Sequence, residues 1–240
     1  MKFEFPLIEA KLVRRYKRFL ADVILSDGSE TTVHCPNTGS MLGCNEPGST
    51  VWLLPVENPT RKYPLGWELV EVNQSVLVGI NTGRSNSLVA EALEHGLIGE
   101  LTGFTSIRRE VKITGTRSRI DFLLSEHETE PDCYLEVKNV TASVDNGYAF
   151  FPDAVSIRAT RHVEELTERV EAGQRGALCF CVQRADVEYV VPADEIDPAY
   201  GKALRKAVEI GVEVYALGAT VTSQSVTLER RLPVRLDGKY

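Results

Sequence analysis

Hydrophobic and polar positions change rhythm about a third of the way along this chain. Up to residue 80 the apolar segments are short and partly alternating: Leu12 to Leu25, Thr31 to Cys35, Thr50 to Val56, Trp67 to Val72 and Val76 to Ile80. Turn-forming clusters separate them, among them Ser26-Asp27-Gly28, Pro36-Asn37-Thr38-Gly39 and Asn45-Glu46-Pro47-Gly48. Alternation between such breaks predicts half-buried strands, and five of them predict a small β-barrel. Gly83, Ser85 and Asn86 interrupt this pattern, so the expected organisation is one domain over residues 1–82 and a second over residues 83–240.

In the second part the period lengthens. Asn86 and Ser87 are suited to cap a helix with apolar positions Leu88, Val89, Ala92 and Leu93. Three strands follow: Arg108 to Ile113, the run around Asp121, and the run around Glu136 to Lys138, the last two joined by polar residues from Ser125 to Asp132. A second helix is expected from Ala154 to Ala172, with Val163, Leu166 and Val170 as its buried stripe and Gly173 as its terminator. Ala177 to Gln183 is almost wholly apolar, the pattern of a strand covered on both faces. Glu188 to Val191, a helix around Tyr200 to Ile210, and strands near Val212 to Leu217 and Val226 to Leu232 are expected to extend that sheet.

The candidate chemistry sits on two of these strands. Side chains two apart on a strand share a face. Glu136 and Lys138 therefore point one way, and Leu135 and Val137 point into the opposite layer. If the neighbouring strand pairs beside them, Asp121 joins the same spot. Two carboxylates and an ammonium make an oxygen-rich site suited to Mg2+ or Mn2+, with Asp121 and Glu136 as metal ligands and Lys138 beside developing charge. Glu-x-Lys on a strand also reads as a solvated charge pair. The surrounding elements favour the site. Helix, strand, strand, strand, helix, strand is the core order of the restriction-endonuclease-like fold, and an acid followed on the next strand by acid-x-lysine resembles the metal-dependent nuclease signature. Glu91, on the first helix, is the candidate for a further acid, and Glu94 lies within one turn of it.

Composition narrows the class without naming a function. The chain has 240 residues, ordinary apolar and charged fractions and a formal net charge of −7. It has no apolar run near the roughly 18 residues of a membrane span. Glu4 and Glu9 interrupt the start where a signal peptide needs an apolar core, so a cytoplasmic location is expected. The 5 cysteines form no Cys-x-x-Cys, which indicates neither a disulfide scaffold nor a zinc site. A net negative charge argues against binding nucleic acid through the overall field, but local basic patches act within about 10 Å whatever the total.

Two such patches lie in the first part. Lys11, Arg14, Arg15, Tyr16, Lys17 and Arg18 form one, and Arg61, Lys62 and Tyr63 the other. Cations attract phosphate and rings stack on bases, as in single-strand binding by OB-folds. A lysine- and arginine-rich strand edge that resists aggregation has the same composition. A small barrel beside a nuclease-like core favours nucleic acid.

The chain also resembles the sugar fermentation stimulation protein A family over nearly its full length. The stretches that carry the resemblance include His34-Cys35-Pro36-Asn37-Thr38-Gly39-Ser40-Met41, Arg61-Lys62-Tyr63-Pro64, Ser118-Arg119-Ile120-Asp121-Phe122, Glu136-Val137-Lys138-Asn139-Val140, Phe151-Pro152-Asp153-Ala154 and Val182-Gln183-Arg184. The resemblance implies a mixed α/β protein, an N-terminal five-stranded OB-like β-barrel followed by a restriction-endonuclease-like α/β domain. It implies non-specific binding of single- or double-stranded DNA and a link to the regulation of sugar use, maltose in particular. Asp121, Glu136 and Lys138 match the acid, acid and lysine of the nuclease core, and Glu91 matches the extra acid of the first helix. Asp153, Arg161 and His162 are candidates to line the cleft, with Arg161 placed to meet a phosphate, and Gln183 is a candidate polar contributor. His34 and Asn37 receive no chemical role beyond forming a turn. Two functions follow: a DNA-binding protein on a nuclease scaffold, or an active nuclease hydrolysing phosphodiesters.

Overall fold

The structure, a computed structural model, describes residues 1–58, 60–73, 75–113, 118–144 and 147–237. Its first six strands are β1 (Ile8–Tyr16), β2 (Leu20–Leu25), β3 (Glu30–His34), β4 (Thr50–Pro55), β5 (Leu65–Val72) and β6 (Val76–Gly79). They run in the order β3-β2-β1-β4-β5-β6, and a further pairing of β3 with β5 closes the first five into a barrel. Five barrel strands are present, but not by the expected division. The single segment Leu12 to Leu25 is two antiparallel strands, which turn at Lys17 and Arg18 with φ of 50° and 65°. Neither residue is a glycine, so the apolar pattern carried no sign of that turn. β6 lies outside the closed ring, as a partner of β5.

Alternation explains the barrel's interior. Ala10 and Leu12 of β1, Ala21 and Val23 of β2, Val33 of β3 and Val51 and Leu53 of β4 pack around the buried Trp67. The indole N–H of Trp67 donates to the Leu69 carbonyl at 2.8 Å, so its polar atom is satisfied. Beside this core Asp22 is nearly fully buried on β2. It accepts from Arg14 Nε at 2.8 Å, Thr32 Oγ1 at 2.8 Å and Tyr16 Oη at 3.1 Å.

The second sheet, in the order β15-β14-β12-β9-β8-β7, is built from β7 (Ser106–Lys112), β8 (Arg119–Ser125), β9 (Cys133–Val140), β12 (Arg175–Val182), β14 (Glu213–Val221) and β15 (Val226–Arg231). β9, β12 and β14 run parallel in its centre, and antiparallel strands flank them. α1 (Ser85–Glu94) covers one face, burying Leu88, Val89, Ala92 and Leu93 against Leu135, Val137, Cys179 and Cys181. α2 (Ile157–Glu171) and α3 (Pro198–Ile210) cover the other, through Val163, Leu166, Leu204 and Ala207 against Leu178 and Phe180. Asp197 serves the start of both helices: it accepts from Tyr200 N at the N-terminus of α3 and from Ser156 N just before α2.

Two expectations change here. Glu188 to Val191 does not extend the large sheet; β13 (Tyr189–Pro192) instead joins β10 (Ser143–Val144) and β11 (Tyr148–Phe151) in a separate small sheet. The apolar pattern of a short strand does not say which sheet it enters. Asn86 and Ser87 do not cap α1, which begins one residue earlier, at Ser85.

The two parts share a core. Leu69 of the barrel is buried in the same cluster as α1 and the inner strands of the large sheet, with Trp52 and Leu77 packed against it. At the seam Gly79 N donates to the Gln183 carbonyl at 2.8 Å. A Cβ at residue 79 would collide with the Gln183 side chain, so the close approach requires glycine.

One prediction concerns the barrel. Burial opposes ionisation of Asp22, but the hydrogen bonds from Thr32, Arg14 and Tyr16 outweigh it and hold the carboxyl below its ordinary 3.8. Because the value is lowered in the folded state, the stability Asp22 contributes is present above pH 3.8 and is lost as pH falls through the lowered value. Asp22→Asn is expected to cost about 1–2 kcal/mol at neutral pH. Urea unfolding of both proteins across acidic pH should show the difference closing as Asp22 becomes protonated.

Candidate active site

The neighbouring strands β7, β8 and β9 place three carboxylates at one level. The β8–β9 ladder pairs Leu124 with Cys133 and Phe122 with Leu135, then stops. In the same register the next pair is Asp121 opposite Glu136. On the other side β7 and β8 pair Arg109 with Phe122 and Val111 with Ile120, skipping Glu110 opposite Asp121. Glu110 itself has φ of 52°. The ladder is therefore interrupted on both sides of Asp121, and its carboxylate takes over a backbone role: Val137 N donates to Asp121 Oδ2 at 2.7 Å. Asn86, in the first turn of α1, donates to Asp121 Oδ1 at 2.8 Å and to Glu110 Oε1 at 3.5 Å.

Glu136 is buried and held from two directions. Lys138 Nζ donates to its Oε1 at 2.6 Å, and His162 Nδ1 meets the same oxygen. Arg158 Nε donates to His162 Nε2 at 3.3 Å. A guanidinium has no acceptor, so Nε2 accepts; Nδ1 lies beside both Glu136 Oε1 and, at 3.1 Å, Lys138 Nζ. Glu136, Lys138 and His162 thus form one network on the α2 face, while Leu135 and Val137 pack on the α1 face.

These residues line a cleft of about 410 Å³ that includes Glu110, Asp121, Glu136, Lys138, Arg158 and His162. Burial, and then the charge of Glu136, push Asp121 up to about 6. Glu136 shows the reverse. Burial opposes its charge, but the His162 hydrogen bond and the Lys138 charge hold it below the ordinary glutamate value. The two acids are close enough to repel; the Val137 amide, Asn86 and the Lys138 charge lower Asp121 without offsetting its burial, whereas the contacts to Glu136 outweigh its own.

That donor set fits a divalent cation. Among the described residues no three His, Cys, Asp or Glu side chains close around a common point as a complete cage. Mg2+ is usually held by one or two carboxylates and completes its sphere with water and substrate oxygens. Asp121 and Glu136 would hold it, and both hydrogen bonds to Glu136 fall on Oε1, so Oε2 accepts nothing from the described residues.

Other expected residues lie elsewhere. Glu91 is not brought to the cleft; its Oε2 lies 2.7 Å from the Met1 amine. Arg161 faces solvent and pairs with Glu165 at 3.7 Å, while the cleft-lining residues of α2 are Arg158 and His162. Asp153 accepts from Ser40 Oγ at 2.9 Å and Met41 N at 3.1 Å, tying α2's approach to the barrel. Gln183 Nε2 donates to Asn139 Oδ1 on β9 at 2.6 Å. Glu110 and Asn86 had no signal of their own, because the register of β7 and the tilt of α1 decide where they point.

The basic patches are also divided. Arg14 is paired with Asp22, and Arg15 is turned inward, donating to the carbonyls of Arg18, Asn37 and Gly39. Tyr16 is hydrogen bonded to Asp22. Arg61 contacts His34, and Lys62 lies over the Tyr63 ring at 5.4 Å. Lys11, Lys17, Arg18 and Lys62 are exposed and pair with no acid among the described residues.

A closed five-stranded OB barrel joined to a restriction-endonuclease-like domain defines the class of this protein. A model described as the sugar fermentation stimulation protein RE domain matches residues 83–225, and one described as the SfsA N-terminal OB domain matches residues 13–80. The chain belongs to the sugar fermentation stimulation protein family. The homolog of Alkalilimnicola ehrlichii is 55% identical over 235 residues, covering 98% of this chain and 99% of the relative. That of Thioalkalivibrio sulfidiphilus is 58% identical over 236 residues, 98% of each. The solved structure of Pyrococcus furiosus SfsA in complex with Ca2+ is 26% identical, with a TM-score of 0.86 over 98% of each chain.

Asp121→Asn keeps an acceptor for Val137 and removes a charge that the cleft penalises. In the absence of divalent cations at pH 8 it is expected to raise stability by about 1–2 kcal/mol, read by urea unfolding.

Proposed function

We propose that this protein is a divalent-metal-dependent nuclease that binds DNA without sequence preference. The observation that carries the reading is the convergence of Asp121, Glu136 and Lys138 on one cleft where the sheet ladder breaks. The relative from Pyrococcus furiosus was solved with Ca2+, which supports a hard-cation site at the corresponding fold. Mg2+ or Mn2+, when bound, supplies the Lewis acidity and the acidified water that phosphodiester hydrolysis needs.

The chain's own residues supply the rest. Asp121 and Glu136 present oxygen ligands from adjacent strands. His162 fixes the rotamer of Glu136, and Asn86 and the Val137 amide fix that of Asp121. Lys138 keeps an ammonium beside the reacting phosphate and offsets charge that develops on it. Arg158, at the same cleft, is the further phosphate-facing cation. DNA is drawn to the barrel by Lys11, Lys17, Arg18 and Lys62, not by net charge, so binding is weak in sequence preference and steep in salt dependence. On this reading the association with sugar use is an indirect consequence of nucleic-acid processing in the cytoplasm.

Purified protein incubated with single-stranded, duplex and branched DNA should cleave with Mg2+ or Mn2+ and not with EDTA. Asp121→Ala, Glu136→Ala and Lys138→Ala should each lower the rate by roughly 100-fold or more, with circular dichroism unchanged. Cleavage that survives in the Asp121→Ala/Glu136→Ala double variant would sink this assignment.

A further inference from the structure

A second concavity, about 520 Å³, lies on the barrel side of the linker that joins the two parts. Its volume is in the range of small-ligand sites. The cleft with Asp121 and Glu136 is lined by Thr82, Gly83 and Ser85, and this hollow is lined by Asn81 and Arg84. Neighbouring residues of one short linker therefore line the two cavities, and the linker is their common wall.

The hollow presents a specific set of hydrogen-bonding groups. Arg61 Nη2 lies 3.2 Å from His34 Nδ1. The guanidinium only donates, so Nδ1 accepts and the imidazole proton sits on Nε2. Burial, and then the charge of Arg61, hold His34 below its usual value, consistent with a neutral ring. Glu68 is 4% exposed. Asn81 Nδ2 at 2.8 Å and Arg84 Nη2 at 3.0 Å occupy its Oε1, and Arg84 Nε at 3.3 Å is the one donor on Oε2 among the described residues. A carboxylate oxygen has two lone pairs, so Oε2 keeps an acceptor position. Phe5, Pro36 and Val56 supply apolar wall.

We propose that this hollow is a nucleobase pocket, receiving one unstacked base of a strand whose backbone lies in the Asp121–Glu136 cleft. A free phosphate does not match it: Glu4, Glu57 and Glu68 outnumber the cations Arg61 and Arg84. A neutral, flat group with donors and acceptors on its edge and apolar faces does match. A base meets that description, with Glu68 accepting from an exocyclic amino or ring N–H group, His34 and Arg61 donating to ring or carbonyl acceptors, and Phe5 against the ring face. The assignment gives a chemical role to His34, and it rests on the nuclease reading only for the strand's path through the cleft.

The test uses the full chain with a single-stranded oligodeoxynucleotide in Ca2+, and with the same oligonucleotide carrying an abasic site moved one position at a time. One position is expected to weaken binding roughly 10-fold when its base is removed. 2-Aminopurine at that position should change fluorescence on binding. Val56→Trp, which fills the hollow without altering charge, and Arg61→Ala should abolish both the positional dependence and the fluorescence change. Both variants should retain Mn2+ binding at the cleft, which shows that they are folded. Equal binding of every abasic oligonucleotide by the wild type overturns the pocket, as does retention of the positional effect in Val56→Trp. Displacement of 2-aminopurine by maltose would assign the hollow to a sugar and overturn it equally. Metal-dependent cleavage without positional dependence removes the pocket alone, whereas positional dependence without cleavage removes the nuclease reading alone.

Discussion

A single hydrogen bond, from the Val137 amide to the Asp121 carboxylate, organises the cleft. In an uninterrupted sheet that amide would donate to a carbonyl of β8. Here the ladder ends at Leu135, two residues earlier, and a side chain satisfies the orphaned donor. The consequence is that Asp121 cannot turn away without leaving a buried N–H unpaired, so its other oxygen stays beside Asn86 and near Glu136. The strands part at the cleft, and the bond that compensates the parting also aims Asp121 into it.

The electrostatics follow from that placement. Lys138 and His162 hold Glu136 below its ordinary value, while burial and the charge of Glu136 push Asp121 up to about 6 in spite of the Val137 amide, Asn86 and Lys138. A site arranged purely for stability would pair both acids. The charge on Asp121 is therefore the less compensated of the two.

The barrel is held against this cleft by more than a linker. Leu69, Trp52 and Leu77 pack into the cluster that also contains α1, so the barrel's outer face and the nuclease-like sheet share one apolar core. The junction of Gly79, Gln183, Asn139 and Ser85 joins the barrel to β9 at the edge of the cleft, and Asp153 reaches back to Ser40 and Met41. Whatever binds the barrel therefore acts on a surface whose geometry relative to the cleft is set by buried polar contacts, which are costly to break.

Local pattern determined a large share of this protein. Period-2 alternation announced the barrel, the lengthened period announced α1 and α2, and the Glu136-x-Lys138 spacing placed an acid and a lysine on one face of a strand. These properties depend only on neighbours a few residues apart. What required tertiary structure depends on registers and packing angles that distant residues impose. The pairing of β7 with β8 brought Glu110 opposite Asp121, and the hairpin of β1 and β2 set Asp22 against Arg14 in a patch whose sequence contains no acid. The rotation of α2 buried His162 against Glu136 and left Arg161 in solvent, and Glu91 went to the Met1 amine because α1 presents that side away from the cleft. A strand's faces alternate and a helix turns about 100° per residue. Sequence therefore fixes which residues travel together, and only the packing of one element on another decides what each group meets.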